Sequence, residues 1–502
     1  MSATAEEHTA QRKTFESLEP ATGEVVGEFP VDDAAAVERA VTGAAGAARW
    51  WDGIGYGERR KRLLRWKAAI VRNLPRLAEL VHRETGKPVD DAKLEIILAI
   101  VHIDWAAKHA RRVLGPQRVG GGMLGLNQAA TLEYRPLGVV GVIGPWNYPV
   151  FTPIGSIAYA LAAGNAVVFK PSEYTPATGA YLAELFAGAV PEHPVFRLVT
   201  GYGETGDALV RARVDKVAFT GSARTAKKVA AACAERLTPL VAECGGKDAL
   251  IVDADADLDA AADAAVWGAM SNAGQTCVGV ERVYAVDGVY DAFLGKVAER
   301  VKDVRAGDDR EASYGPITMP GQIDVIRRHL DDAFGRGARA VAGGPDAVRP
   351  PYVDPVVLTD VPDDAAANVE ETFGPTMTVT RVADLDEAVR RANATTYGLG
   401  ATIFSRGKRR ATEAARRVRS GMTSINAVIA FASVPALPFG GVGDSGYGRI
   451  HGADGLREFT RPKAVTRQRF PLPVNPASFH RGEKDMHRLT QMITLLHGHR
   501  PR

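Results

Sequence analysis

The chain has 502 residues, 46% hydrophobic and 24% charged, which excludes a disordered or fibrous protein and exceeds what one hydrophobic core supports. Lys and Arg number 62 against 59 Asp and Glu, so the net charge of +3 makes no electrostatic case for a nucleic-acid partner. Three scattered cysteines, Cys233, Cys244 and Cys277, exclude a disulfide framework and fit a reducing, cytoplasmic compartment.

The opening MSATAEEHTAQRKTF is polar and of mixed charge, without the apolar run of a signal peptide. Residues 32–115 read as helices, among them the amphipathic ERRKRLLRWKAAIVRNL. Residues 136–169 carry no charge and on length alone would fit a membrane span, but Pro145, Asn147, Pro149 and Pro153 interrupt it. The better parse is a strand at 138–143, a helix from Pro153 to Ala163 with Thr152 as N-cap and Gly164 as stop, and a strand at 166–169. Thr175-Pro176 opens another helix, and strands FRLV (196–199), KVAFT (216–220) and PLVAE (239–243) follow, separated by helices. Apolar strands alternating with helices indicate a parallel sheet covered on both faces, with ligands beyond the carboxyl ends of its strands. A second α/β pattern runs from Lys247 to Ile450, with strands ALIV and RVYAV. QAATLEYRP (128–136) and KAVTRQRF (463–470) are strand-like excursions, candidates for pairing between subunits of a homodimer or homotetramer.

Three pattern matches fail. GVGDSG (441–446) fits a dinucleotide fingerprint, but Pro435 and Pro438 precede it and no acidic residue lies between Glu458 and Glu483, so it reads as a tight glycine turn. GSARTAKK (221–228) has Ala226 and Lys228 where a phosphate loop needs Gly and Ser or Thr. DADADLD (253–259) lacks the glycine and distal Glu of a calcium loop; Asp257 reads as a helix cap, and no metal site is expected.

The reactive candidates are Cys277, after a loop-like NAG and before a strand; Glu243, at a strand end ahead of Gly245 and Gly246; and Asn147, in a loop beyond a strand's carboxyl end. Each has an ordinary reading, as a small core residue, a surface carboxylate and a turn former. Their joint placement is what points to chemistry.

GPWNYP, KPSE, FTGSA, ECGGK, NAGQTC, EETFGP, SGMTSIN and PFGGVGDSGYGR, in this order over about residues 15–470, resemble the signatures of the NAD(P)-dependent aldehyde dehydrogenase superfamily. The resemblance implies an α/β chain: a Rossmann-like parallel-sheet cofactor domain (1–117 and 138–245), a second α/β catalytic domain (246–450), and a small β oligomerisation element (118–137 and 451–476). It implies that Cys277 is the nucleophile, that the Asn147 amide and the Cys277 N–H hold the oxyanion, and that Glu243 is the base that activates water. For the cofactor it implies Lys170 and Glu173 at the adenosine ribose, Ser222 at the pyrophosphate, Glu371 and Phe373 at the nicotinamide ribose and ring, and Trp146 and Gly221 as further cofactor contacts. A carboxylate at 173 favours NAD over NADP by repelling a 2′-phosphate. Ala226 departs from the glycine usual in the family. Glu243 argues against a coenzyme-A-acylating enzyme, the alternatives being that or a semialdehyde-specific relative, or a non-catalytic homologue. A free thiol of ordinary pKa at Cys277 would ionise in part at alkaline pH.

Cys233 and Cys244 read as packing residues, and Tyr148, Phe151 and Phe431 as an apolar substrate lining. Residues 477–502 carry Met486, Leu489, Ile493 and Leu496 at helical spacing, an amphipathic tail that would dock on its own subunit, a partner or a membrane surface.

Overall fold

The computed structural model describes residues 13–472 and 477–498. Two compact units lie within Met1–Val113 with Pro136–Arg461, and within Leu114–Arg135 with Pro462–Arg502.

The first unit holds two large sheets. One is six-stranded, in the order Gly446–Tyr447, Leu240–Glu243, Lys216–Thr220, Val139–Ile143, Ala166–Lys170, Phe196–Leu198. All its pairs are parallel except that of Gly446–Tyr447, which runs antiparallel to Leu240–Glu243. The chain starts at the central Val139–Ile143 strand, builds outward through 166–170 and 196–198, then crosses to 216–220 on the other side. That reversal opens a crevice at the carboxyl ends of 139–143 and 216–220. The other sheet is seven-stranded, with Asp248–Val252, Val280–Val286, Thr376–Val382 and Ala401–Phe404 among its parallel strands. One apolar core covers one of its faces through the helices Leu258–Met270, Asp287–Val301 and Pro320–Gly335; a smaller core lies under Leu385–Ala392 and Lys408–Arg417.

One helix start departs from the local reading, and the Thr175-Pro176 start agrees with it. The uncharged segment does hold a helix ended by Gly164, in the left-handed conformation at φ 108°. It begins at Phe151, however, with Val150 rather than Thr152 at the cap, and Thr152 lies inside the first turn. The reason is a remote cap: Glu95 accepts from the Val150 and Phe151 N–H groups at 2.7 and 3.0 Å. The Pro176–Ala189 helix repeats the device, with Glu84 accepting from Ala177 and Thr178 at 2.8 Å each. Both glutamates come from the helical region before the sheet, Glu84 from Leu74–Thr85 and Glu95 from Val89–Leu114. Asp257 does cap Leu258–Met270, accepting from Ala260.

In the second unit, Gln128–Pro136 is the middle of a three-stranded sheet between Thr460–Gln468 and Gln117–Val119. The two excursions therefore pair with each other inside one chain. A helix follows at Glu483–His497. Among the described residues no helix is long and apolar enough to cross a membrane.

Candidate active site

Asn272, Ala273 and Gly274 have φ of 53°, 56° and 71°, three consecutive left-handed residues between the Leu258–Met270 helix and the Val280–Val286 strand. For alanine this is strained backbone, kept only where the surroundings over-determine it. A Cβ on Gly274 would lie 1.9 Å from the Gly374 carbonyl oxygen. Hydrogen bonds lock the turn: Gln275 Nε2 donates to Asn272 O at 2.9 Å, and Thr318 N donates to Gln275 Oε1 at 2.8 Å. The turn delivers Cys277 at the mouth of the strand.

Asn147, 5% exposed, donates its amide to Gln275 O at 2.9 Å, so the GPWNYP loop is tied to the Cys277 turn. Its carbonyl accepts from Lys87 Nζ at 2.7 Å and Asn272 Nδ2 at 3.1 Å. Lys87, 2% exposed, pairs with Glu95 at 2.7 Å and lies 4.1 Å above the Tyr148 ring. The Tyr148 and Thr276 hydroxyls share a hydrogen bond of 2.9 Å beside the thiol. Lys87, Glu95, Asn272 and Gln275 thus form a closed polar network under the candidate oxyanion donor.

Glu243 ends its strand at the crevice, with its carbonyl taking the Gly221 N–H at 3.1 Å. The glycine-rich PFGGVGDSGYGR clamps the following turn rather than holding a nucleotide. Ser445 Oγ donates to Gly245 O at 2.7 Å, Cys244 N donates to Ser445 O, and Gly446 pairs opposite Glu243. A Cβ on Gly446 would sit 2.0 Å from Ala242 O, so the strand pairs this closely only as glycine. Both Glu243 oxygens are buried without a hydrogen-bond partner. Burial pushes its pKa up to about 7, an effect offset in part by the Cys277 thiol and Thr220 beside it.

Cys277 is partly accessible, yet the protein packed around it, and then the carboxylates of Glu243, Glu371 and Asp248, push its thiol well above the usual range. That direction runs against the expected partial ionisation of the thiol on its own. Asp248 is itself pushed up to about 7 by burial, with Gly400 N donating to it at 3.0 Å. Cys233 and Cys244 are buried in packing positions, and burial takes the Cys244 thiol up to about 12.

Glu371 folds back onto the ECGGK turn, where Gly246 N donates to it at 3.0 Å. A Cβ on Gly245 would fall 1.9 Å from its carboxylate. Phe373, at φ 52°, follows Thr372, and both N–H groups donate to Glu281, which is ion-paired with buried Lys247. The Trp146 ring meets Phe373 edge-on at 5.5 Å. Lys170 and Glu173 form a separate pair, 3.6 Å apart, beyond the Ala166–Lys170 strand. Gly221 precedes the Ala223–Ala234 helix, whose N-cap is Ser222 with Thr225 N donating to its hydroxyl; Ala226 buries its methyl in the first turn. A helix N-terminus, an ammonium–carboxylate pair able to bond ribose hydroxyls, and the half-buried Glu371 carboxylate with one backbone donor fit a dinucleotide in chemistry. No group of three or more metal-ligating side chains occurs among the described residues.

Sequence reading did not single out Lys87, Glu95, Asp248, Lys247 or Glu281. For Glu95 the signal was present: Ala92, Glu95, Ile96, Ala99, His102 and Ile103 are all buried at three- and four-residue spacing, so a carboxylate sits on an apolar stripe.

Residues 7–465 match the family model described as the aldehyde dehydrogenase family. A 4,4'-diapolycopene aldehyde oxidase from a Methylomonas species is 38% identical over 93% of this chain and 88% of its own length. A protein of Mycobacterium ulcerans (strain Agy99), provisionally named an NADP(+) succinate-semialdehyde dehydrogenase, is 35% identical over 91% of this chain and 90% of its own. The crystal structure of an NAD-dependent aldehyde dehydrogenase from Sinorhizobium meliloti superposes with a TM-score of 0.88 at 33% identity, covering 93% of each chain.

Proposed function

Because the chain belongs to the aldehyde dehydrogenase family, we propose that it oxidises an apolar aldehyde to the carboxylic acid, with NAD as hydride acceptor and water as acyl acceptor. The observation that carries this reading is the buried Glu243 carboxylate, without a hydrogen-bond partner and pushed up to about 7, beside a thiol that needs a base.

Glu243 takes the Cys277 proton and passes it to solvent. The thiolate adds to the aldehyde carbon, and the oxyanion is met by the Cys277 N–H and the second N–H of Asn147 Nδ2, the first being held by Gln275 O. Lys170, Glu173, Gly221, Ser222, Trp146, Glu371 and Phe373 would hold the pyridine nucleotide, whose chemistry when bound is to accept the hydride. Cys277 then carries a thioester, and Glu243 removes a proton from the water that attacks it, releasing acid and thiolate.

Glu173 supports NAD, since its carboxylate repels a 2′-phosphate. Tyr148, Phe151 and Phe431, and the likeness to a 4,4'-diapolycopene aldehyde oxidase, support an apolar substrate. The likeness to a protein named for succinate-semialdehyde with NADP(+) favours a second reading. Exposed Val119, Leu124, Leu126 and Val465 in the second unit support assembly into a homodimer or homotetramer, and light scattering reads that directly. A panel of aldehydes of rising chain length, with succinate semialdehyde beside it, tests the assignment with NAD and NADP. Reduced nicotinamide formation should be most efficient with long apolar aldehydes and NAD, without added coenzyme A. Higher kcat/KM for succinate semialdehyde, or for NADP, would transfer the assignment to the second reading.

A further inference from the structure

We infer, on the reading above that Asn147 holds the oxyanion, that Lys87 is a positioning residue which sets the Asn147 amide against the Cys277 turn. Lys87 lies in the short TGKP link (85–88) between the Leu74–Thr85 and Val89–Leu114 helices. Gly86 ends the first helix at φ 75°, and a Cβ there would fall 2.4 Å from Pro316 Cδ. The Lys87 carbonyl accepts from His82 Nδ1 at 2.7 Å, and Thr318 Oγ1 donates to Thr85 O at 2.8 Å. The link is thus held on both sides of Lys87, whose side chain is only 1% exposed.

A buried ammonium is costly unless its donors are met. Lys87 Nζ donates to Glu95 Oε2 and to Asn147 O, each at 2.7 Å, and stands 4.1 Å over the Tyr148 ring. Asn147 and Tyr148 are consecutive, and each reaches one of the two residues that precede Cys277. Asn147 Nδ2 donates to Gln275 O at 2.9 Å, and the Tyr148 and Thr276 hydroxyls share a hydrogen bond of 2.9 Å. One cation therefore touches both residues that brace the nucleophile's turn. Glu95 ties that cation to the same loop through the Val150 and Phe151 N–H groups. Asn272 Nδ2 is a second donor to Asn147 O, at 3.1 Å. With its carbonyl held twice and one amide N–H taken by Gln275 O, Asn147 keeps one N–H whose direction those contacts fix. A donor fixed beforehand stabilises developing charge without reorganising, and a misplacement of about 1 Å can cost about a hundredfold in rate. Lys87 acts through Asn147 and Tyr148.

The test compares Lys87→Met, Asn147→Ala and the two together, with rates divided by the folded sites counted in a pyridine-nucleotide fluorescence titration. Asn147→Ala should lower kcat by about a hundred- to a thousandfold. Lys87→Met should lower it by about ten- to a hundredfold, with the KM for NAD unchanged. The combined variant should stay within about threefold of Asn147→Ala, because misplacing a donor costs nothing once the donor is gone. An oxyanion forms when the thiolate adds and again when water attacks, so Lys87→Met should slow the burst and the steady rate together. Lys87→Gln with Glu95→Gln removes the ion pair without leaving an unpaired buried charge. It should show the same loss of kcat with less destabilisation, and it takes the place of Lys87→Met in the cycle if that variant yields no folded sites. Losses that multiply in the combined variant, with Asn147→Ala alone costly, overturn the inference and leave the oxyanion reading standing. A wild-type kcat in Asn147→Ala overturns both. A wild-type rate per folded site without the ion pair assigns Lys87 to stability alone and overturns the inference.

Discussion

Glu95 and Glu243 lie in the same unit at 2% and 3% exposure, yet only one has its charge answered. Glu95 accepts from Lys87 Nζ and from two helix-terminal N–H groups, so one oxygen caps a helix and the other completes a network that fixes Asn147. Glu243 has no hydrogen-bond partner on either oxygen, and burial carries its proton affinity into the neutral range. A fully satisfied buried network rigidifies, whereas an unsatisfied carboxylate costs stability and gains a working pKa. The first glutamate is fixed in the network under Asn147, and the second has the state that the base proposed here requires.

The comparison breaks at its base if Glu243 has no thiol to serve. Cys277→Ala is expected to cut aldehyde oxidation by at least about a thousandfold while pyridine-nucleotide binding, read by fluorescence titration, persists. Retained turnover above that level would remove Cys277 as the nucleophile. Glu243→Gln should lower kcat by about a hundred- to ten-thousandfold. Because the Cys277 thiol is pushed well above its ordinary range, this variant should also lack a burst of reduced nicotinamide at mildly alkaline pH. A full burst with acyl-Cys277 seen by mass spectrometry would confine Glu243 to the hydrolytic half.

Lys87→Met tests the other glutamate. It leaves Glu95 buried without its cation and should cost about 3 kcal/mol of stability in denaturant titration, where Glu243→Gln does not destabilise. Glu243 also carries a pH dependence. Glu243 in the folded chain keeps its proton up to about 7, while the unfolded chain releases it in the ordinary carboxylate range. Between those limits the folded state binds more protons, so this group's contribution falls as pH rises and is lost above about 7. Glu243→Gln should therefore raise Tm at pH 8 by the equivalent of about 1–3 kcal/mol and much less at pH 5. Wild-type kcat/KM should climb through the same interval as Glu243 becomes a base. A third glutamate extends the series with the smallest effect. Glu173, 35% exposed at its side chain and paired with Lys170, should on change to Ser narrow the NAD preference by about three- to tenfold in kcat/KM. Equal use of NAD and NADP by the wild-type chain would end that role.

Local sequence rules reached far into this molecule. Apolar runs punctuated by glycine and proline marked the strands at 139–143, 166–170, 216–220 and 240–243 to within a residue or so. The turn residues around Asn147, Glu243 and Cys277 pointed to strand ends, which is where the parallel sheet brings them. One helix start was misplaced, at Pro153 instead of Phe151, since a rule that looks for Ser, Thr or Asp at the N-cap cannot see Glu95 55 residues away.

What the sequence by itself determined was the alternation of strands and helices and the place of Asn147, Glu243 and Cys277 in the turns beside strand ends, because each depends on spacing within a few residues. What only the tertiary structure decided was their chemical state. Cys277 and Glu243 are 34 positions apart in sequence, and a thiol far above its ordinary range beside a carboxylate at about 7 exists only once separate strands bury both together. Desolvation and unscreened carboxylates create that state, and both are properties of packing rather than of any residue type.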